Sequence, residues 1–219
     1  MMKLKLTTAV LLSTFSLSTV FAAASTTHNT NSNQSMMHTK QNSGAMNQSK
    51  ANAAQQDGQI LDVLVVLNQN EIAAANLISK KKDVNDSVKR YARMLAREHG
   101  KNLKETMKLS HSIGSPMQNA TADSLKKKGE HELATLNPLT GAALDKAYID
   151  AMVNDHQQAL QLFDDNLMPN ASNQKLKAQL TQTRKHLVKH LKEAQAIQNK
   201  LNQTANSDTD TSSSTGSNR

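Results

Sequence analysis

The spacing of proline constrains this chain more than any other feature. Its 219 residues contain three prolines, Pro116, Pro138 and Pro169, and apolar residues between them recur every third or fourth position. A proline inside a helix removes an N–H and crowds the preceding turn, so long proline-free stretches with that recurrence read as amphipathic helices. The first runs over about 59–80 with a stripe of Ile60, Leu64, Leu67, Glu71, Ala75 and Ile78. The second, about 83–111, has Asp83 or Asn85 as candidate N-cap and a stripe of Val88, Ala92, Leu95, His99, Leu103 and Thr106. The third, about 139–167, starts near a candidate cap at Thr140 and carries Leu144, Tyr148, Met152, His156, Ala159 and Phe163. The fourth, about 172–201, carries Leu176, Leu180, Thr183, Leu187, His190, Ala194 and Ile197, with the turn before it at Met168-Pro169-Asn170. Alternating β-branched runs and Asn-Gly or Asp-Gly hairpins between apolar segments are missing, so no strand is expected.

Two of the three connections are short, which pairs helices one with two and three with four as antiparallel hairpins. The link over 112–138 is far longer and includes the polar, partly helical segment SLKKKGEHELATL. A link of that length can return the chain along the bundle. The expected architecture is therefore an all-α, ferritin-like four-helix bundle with a long second-to-third crossover, its second and third helices parallel. Beyond residue 24 the aromatic residues are Tyr91, Tyr148 and Phe163. The core must then be built from Leu, Met, Val, Ile and Ala, which offers no large aromatic-lined ligand pocket.

The two ends read differently. Residues 1–24 combine Lys3 and Lys5, an apolar run from Ala9 to Phe21 and the small residues Ala22-Ala23-Ala24, the pattern of a secretory signal peptide cleaved after Ala22 or Ala24. The run is too short and too rich in Ser and Thr for a bilayer span, so an exported chain with no transmembrane anchor after cleavage is expected, periplasmic or outer-membrane associated. Residues 25–57 and 203–219 are polar and lack large apolar side chains other than three methionines. They are expected to stay disordered around a bundle domain at 58–202. There is no cysteine, which excludes disulfides, thiolate metal sites and thiol nucleophiles. Removing Lys3 and Lys5 from the 26 basic residues leaves 24 against 18 acidic, a modest excess.

Each stripe is interrupted near its middle by a titratable residue: Glu71, His99, His156 and His190, with His186 one turn before the last. Interior groups from four helices are how bundles assemble metal sites, and an unpaired polar group in an apolar seam costs about 1–3 kcal/mol. Counted from the turn between helices one and two, Glu71 and His99 are offset by about six residues, or about 9 Å, too far for one ion. The stripe places His190 facing His156 and His186 at the edge of the seam. A di-iron carboxylate site is not expected, because it needs Glu three residues before each histidine, where this sequence has Ala96, Thr183 and Leu187. A set of imidazoles with one carboxylate suits Zn, Cu or Ni.

Weaker signals are Met36-Met37-His38 with His28 and Met46, a soft set that suits copper, and the basic clusters Lys80-Lys81-Lys82, Lys126-Lys127-Lys128 and Arg184, Lys185, Lys189, Lys192, which suit an anionic polymer or an envelope component. Without interleaved aromatics or a nucleic-acid motif the basic clusters read as solvated faces, and no nucleic acid is expected. Neither a Gly-x-Ser-x-Gly elbow nor a Gly-rich phosphate loop occurs.

The segments EIAAANLISKKK at Glu71, RMLAREHGKNLKE around His99, LDKAYIDAMVNDHQQALQLF around Tyr148 and His156, and HLKEA at His190 resemble an exported bacterial family called domain of unknown function 4142. The resemblance covers about 58–201, and its most specific piece is the block of Asp145, Tyr148, Asp155 and His156. It implies a ferritin-like fold in a protein labelled as outer-membrane, with Glu71, His99, His156 and His190 at the family's recurring polar positions and His186 at none. Three function classes stand in order: a non-catalytic envelope protein acting through its surface, a metal-binding or metal-buffering bundle, and a metal-dependent enzyme.

Overall fold

The structure, a computed structural model, describes residues 38–213, with side chains over 46–204. The described residues form α1 (His38–Lys80), α2 (Asp86–Ile113), α3 (Ala120–Leu136), α4 (Gly141–Leu162) and α5 (Gln174–Ser213), with no strand. From Lys40 onward they belong to one compact unit. No helix among them is long and apolar enough to cross a membrane. The signal-peptide segment, residues 25–37 of the polar leader and residues 214–219 lie outside the described residues.

Local chemistry sets the helix starts. Asn85, rather than Asp83, caps α2 by accepting the Ser87 N–H at 2.9 Å; Asn119 does the same for Ala122 at 3.1 Å and Asn173 for Lys175 at 2.9 Å. Thr140 holds the cap position of α4 but makes no side-chain cap bond. Gly114 (φ 126°) ends α2 and Gly141 (φ 54°) opens α4, both in the left-handed region that disfavours a side chain. The expected turn at Met168-Pro169-Asn170 is helical instead. α4 continues through a π turn at Phe163–Leu167 into a last α turn at Met168–Asn170, and the chain turns at Ala171, where ψ switches to 131°. The π turn shifts the hydrogen-bond register just where Pro169 supplies no N–H.

Both polar flanks differ from the expected disorder within the described region. α1 begins at His38, before the expected start near 59, and α5 runs on to Ser213. Once the packed part of a helix has formed, each added residue gains a backbone hydrogen bond without a new nucleation cost, and Ala51, Ala53, Ala54, Gln55 and Gln56 are good helix formers. The side chains of residues 46–52 are exposed, so this extension adds no core.

Side-chain contacts fix the helix directions. Asp145 accepts the Asn85 N–H at 3.1 Å, Tyr91 meets Tyr148 with ring centroids 6.5 Å apart, and His99 meets His156 at 6.0 Å. Ascending numbers thus pair with ascending numbers, and α2 and α4 run parallel. α5 runs against both: Asn102 pairs with Thr183 at 3.0 Å, Tyr91 donates to the His190 carbonyl at 3.1 Å, and Gln198 donates to Asp150 at 2.7 Å. The long link expected between the second and third long helices is present over 114–140 and contains α3. It travels along α1, from the Met117 N–H on the Gly58 carbonyl (2.9 Å), through Asn70 on the Leu125 carbonyl (2.8 Å), to Lys81 on the Asn137 carbonyl (2.5 Å).

The core falls into two apolar clusters. One joins Ala74, Ala75 and Ile78 to Tyr91, Leu95, Tyr148, Met152, Ala194 and Ile197. The other joins Ile60, Leu61 and Leu64 to Ala159, Phe163, Leu176, Leu180 and Leu187. Between them in sequence on every long helix stand the polar residues: Asn68 and Glu71 on α1, His99 on α2, His156 on α4 and His190 on α5.

Two glycines distinguish packing from propensity. A Cβ on Gly129 of α3 would collide with the Asn70 side chain, whereas one on Gly100 of α2 would meet nothing within 4 Å. Asn70 is held by its bond to the Leu125 carbonyl and yields poorly. Gly129→Ala is expected to destabilise by about 1–3 kcal/mol and Gly100→Ala to stabilise by about 0.5–1 kcal/mol, as read by urea denaturation; the same sign for both would contradict this packing of α3 on α1.

Candidate metal centre

His99, His156 and His190 reach the interior because each takes the inward position of its stripe, and they are 5%, 0% and 1% exposed. Their ring centroids lie 5.2 Å (His99 to His190), 5.4 Å (His156 to His190) and 6.0 Å (His99 to His156) apart. One ring nitrogen from each lies within 4.8 Å of the others. The fourth sequence candidate, Glu71, stands beside this trio rather than within it, its Oε1 4.0 Å from His156 Nδ1. The turn between α1 and α2 occupies 81–85, so Glu71 is nine residues before the end of α1 and His99 thirteen past the start of α2. The offset is four residues, about 6 Å rather than 9 Å.

Each imidazole is oriented by an acceptor on one nitrogen. His156 Nδ1 lies 2.8 Å from the Met152 carbonyl, which can only accept, so the proton sits on Nδ1. His99 Nδ1 lies 3.0 Å from Asn68 Oδ1, and the Asn68 amide is itself fixed because its Nδ2 donates to the Leu64 carbonyl at 2.6 Å. His190 Nε2 donates to Glu98 Oε2 at 2.8 Å. The remaining nitrogens, His99 Nε2, His156 Nε2 and His190 Nδ1, are buried and have no hydrogen-bond partner. The result is three neutral rings, each with one proton anchored outward and one lone pair unclaimed. Backbone carbonyls, amides and carboxylates in this role are the usual outer partners of metal-bound histidines.

Electrostatics favour the neutral forms. Burial pushes His99 well below its usual range, and the His190 and His156 rings add to this. Burial likewise lowers His156 to about 4, with help from His190. His190 is also lowered by burial, against the opposing pull of Glu98. Neutral imidazole is the form that ligates a metal.

A second grouping on the solvent side escaped the sequence reading. Glu98, His186 and His190 also bring donor atoms within 4.8 Å of one another. Burial alone would raise the Glu98 carboxyl, but hydrogen bonds from His190, Lys189 and His186 outweigh it and hold it near about 2. Glu98 lies off the apolar stripe of α2, so periodicity gives no hint of it. The sequence signal was only its adjacency to His99 and the exposed face shared by His186 and Lys189. His186 is exposed at the edge of the seam, as expected, with Nδ1 3.4 Å from Glu98 Oε2.

On the opposite side of the trio, Glu71, Glu132 and Asp155 line a cavity of about 60 Å³ between α1, α3 and α4, with Lys128 bound to Asp155. Burial raises Glu71 to about 8, and the Asp155 charge adds to the rise. Burial raises Glu132 further, to about 10, assisted by its hydrogen bond to Asp155 and by the charges of Asp155 and Glu71, while Lys128 opposes. A carboxyl whose folded pKa lies above its unfolded value stabilises most below the unfolded value, here 4.5, and loses that contribution as pH rises toward 10. Glu132→Gln keeps a donor for Asp155 but cannot titrate. Its unfolding free energy is therefore expected to fall less steeply than the parent's between pH 6 and 9, by up to about 1.4 kcal/mol per pH unit. Parallel pH profiles from denaturant titrations would show that Glu132 is ionised in the fold.

Comparison with curated proteins and with solved structures finds no match. A family model does match, over residues 41–197, which takes in α2, α3, α4 and the crossover whole, most of α1, the first part of α5 and every residue of the trio. The chain belongs to the family described as Domain of unknown function (DUF4142).

Proposed function

We propose that this protein binds one divalent transition-metal ion in the middle of its bundle through His99, His156 and His190, and that it does so as an exported protein of the periplasm or outer membrane. The observation that carries the reading is the trio of buried, unpartnered ring nitrogens on His99, His156 and His190, whose opposite nitrogens are all engaged. Leaving each such group unsatisfied costs about 1–3 kcal/mol, and a shared cation would satisfy all three at once. An all-imidazole set suits Zn, Cu or Ni. Glu71 stands outside the ligand set in this reading, because it approaches His156 on the Nδ1 side, 4.0 Å away, where that nitrogen is already engaged by the Met152 carbonyl. Metal binding or buffering follows from this arrangement. The surface-acting reading has less behind it, since among the described residues the exposed large apolar side chains Met46, Met107, Met117 and Val188 are spread over three helices and one loop.

Ligand binding raises stability by mass action, about 2.7 kcal/mol at a free ion concentration a hundredfold above Kd, or roughly 5–10 °C in thermal midpoint for a domain of this size. Tag-free protein is expected to show such a shift with at least one of Zn, Cu and Ni. His156→Gln and His190→Gln should abolish most of it, whereas truncation before residue 46, which removes the Met36-Met37-His38 cluster, should leave it intact. Equal shifts in the parent and in both glutamine variants would move the ion to another site and defeat the proposal.

A further inference from the structure

We infer that Glu98, His186 and the Nε2 edge of His190 form a second, solvent-facing metal site that loads the buried one, with His190 as the shared ligand. The inference rests on the metal-binding reading of the buried trio. The two groupings have one residue in common, and the two nitrogens of that residue face different ways: Nε2 lies 2.8 Å from Glu98 Oε2, while Nδ1 is buried without a partner. Around Glu98 Oε2 the separations are 2.8 Å to His190 Nε2 and 3.4 Å to His186 Nδ1. Ligand atoms in a tetrahedral site with bonds of about 2.0–2.2 Å stand about 3.3 Å apart, so an ion can take the place of the proton between Glu98 and His190 with small side-chain movements. A cleft of about 290 Å³ between α2 and α5 is lined by Glu98, His186, His99 and His190 alike, which connects solvent, the outer set and the edge of the inner set.

The outer set is the weaker of the two. Lys189 and Arg97 approach Glu98 Oε1 at 3.2 and 3.8 Å; they leave Oε2 to the ion but repel a dication. Occupancy is sequential, because a neutral imidazole has one lone pair. With the ion on Nε2 the ring proton sits on Nδ1; with the ion on Nδ1 the proton sits on Nε2 and is donated to Glu98. Each inward transfer breaks the ion's bonds to Glu98 Oε2, His186 Nδ1 and His190 Nε2 and forms bonds to His99 Nε2, His156 Nε2 and His190 Nδ1. Meanwhile the His190 ring proton leaves Nδ1 and one returns at Nε2 by exchange with solvent in the cleft; release reverses every one of these changes. Charge and oxidation state do not change.

An intermediate on the route in is also the intermediate on the way out, so removing it slows both directions and leaves the equilibrium alone. Full-length, tag-free protein is mixed with Zn²⁺ and then with a chromophoric chelator, following uptake and release for the parent, His186→Ala and His156→Gln. His186 is exposed and its replacement leaves the core intact. The parent is expected to hold one ion; His186→Ala should hold one ion with Kd within about twofold, but with uptake and release both at least tenfold slower. His156→Gln, its folding checked by circular dichroism, should still take one ion at the outer set, with at least tenfold weaker Kd and faster release. Parent-like rates in His186→Ala, or a weakened Kd without slowing, overturn the loading site while the buried site stands. A parent that retains no ion overturns the metal-binding reading itself.

Discussion

Three imidazoles in the middle of an aromatic-poor bundle are the constraint around which the rest of this fold is arranged. Their layer separates the core into two apolar clusters, one at each end of the bundle. Neither half can be repacked across the middle, because His156 and His190 are almost fully excluded from solvent. Each ring needs an acceptor on one side, and the chain supplies three different kinds: a carbonyl one helical turn back on the same helix for His156, an amide on the neighbouring helix for His99, and a carboxylate at the rim for His190. Breaking any one of them would strand a second nitrogen in a region of low dielectric, where an unpaired polar group is costly.

The layer also organises the charges around it. On the imidazole side, Glu98 is drawn down by three donors and opens on a cleft. On the carboxyl side, Glu71 and Glu132 are driven up by burial and by Asp155, and α3 closes over them. Glu71 meets His156 on its Nδ1 side, 4.0 Å away, and that nitrogen is taken by the Met152 carbonyl, so Glu71 touches the trio without joining it. The crossover thus does more than return the chain: through Lys128, Gly129 and Glu132 it covers the side of the layer that would otherwise face water.

Much of this was legible in the sequence because it depends on period. The inward positions of α4 and α5, including Tyr148, His156, Thr183, Leu187 and His190, are buried as their three- and four-residue spacing required, and the one long link gave the parallel α2 and α4. What was not legible depends on neighbours in space. Asn68 and Glu98 lie off the stripes, and their roles come from residues 31 and 92 positions away. The same holds for Asp57, whose two carboxylate oxygens accept the Ser172 and Asn173 N–H groups at 2.7 and 3.0 Å: it lies in the segment expected to be disordered, yet it is 5% exposed. The height of Glu71 against His99 was misjudged because the turn sits two to three residues later than Asp83 suggested, and one such shift moves a side chain by most of a helical turn.

Asp145 and Asp155 show how one recognisable block serves two purposes. Asp145 receives the Asn85 N–H and so fixes where α2 begins relative to α4; that register sets His99 level with His156. Ten residues further along the same helix, Asp155 binds Lys128 of the crossover and shares a hydrogen bond with Glu132. Between them Tyr148 packs edge-on against Tyr91, whose hydroxyl reaches the backbone carbonyl of His190. The block therefore positions His99 through the start of α2, His190 through Tyr91, and the carboxyl cavity through Asp155, while contributing His156 itself. A chain can keep three histidine-bearing stripes by chance of composition; holding the three rings within 6.0 Å of one another, each with one buried, unpartnered nitrogen, requires this register.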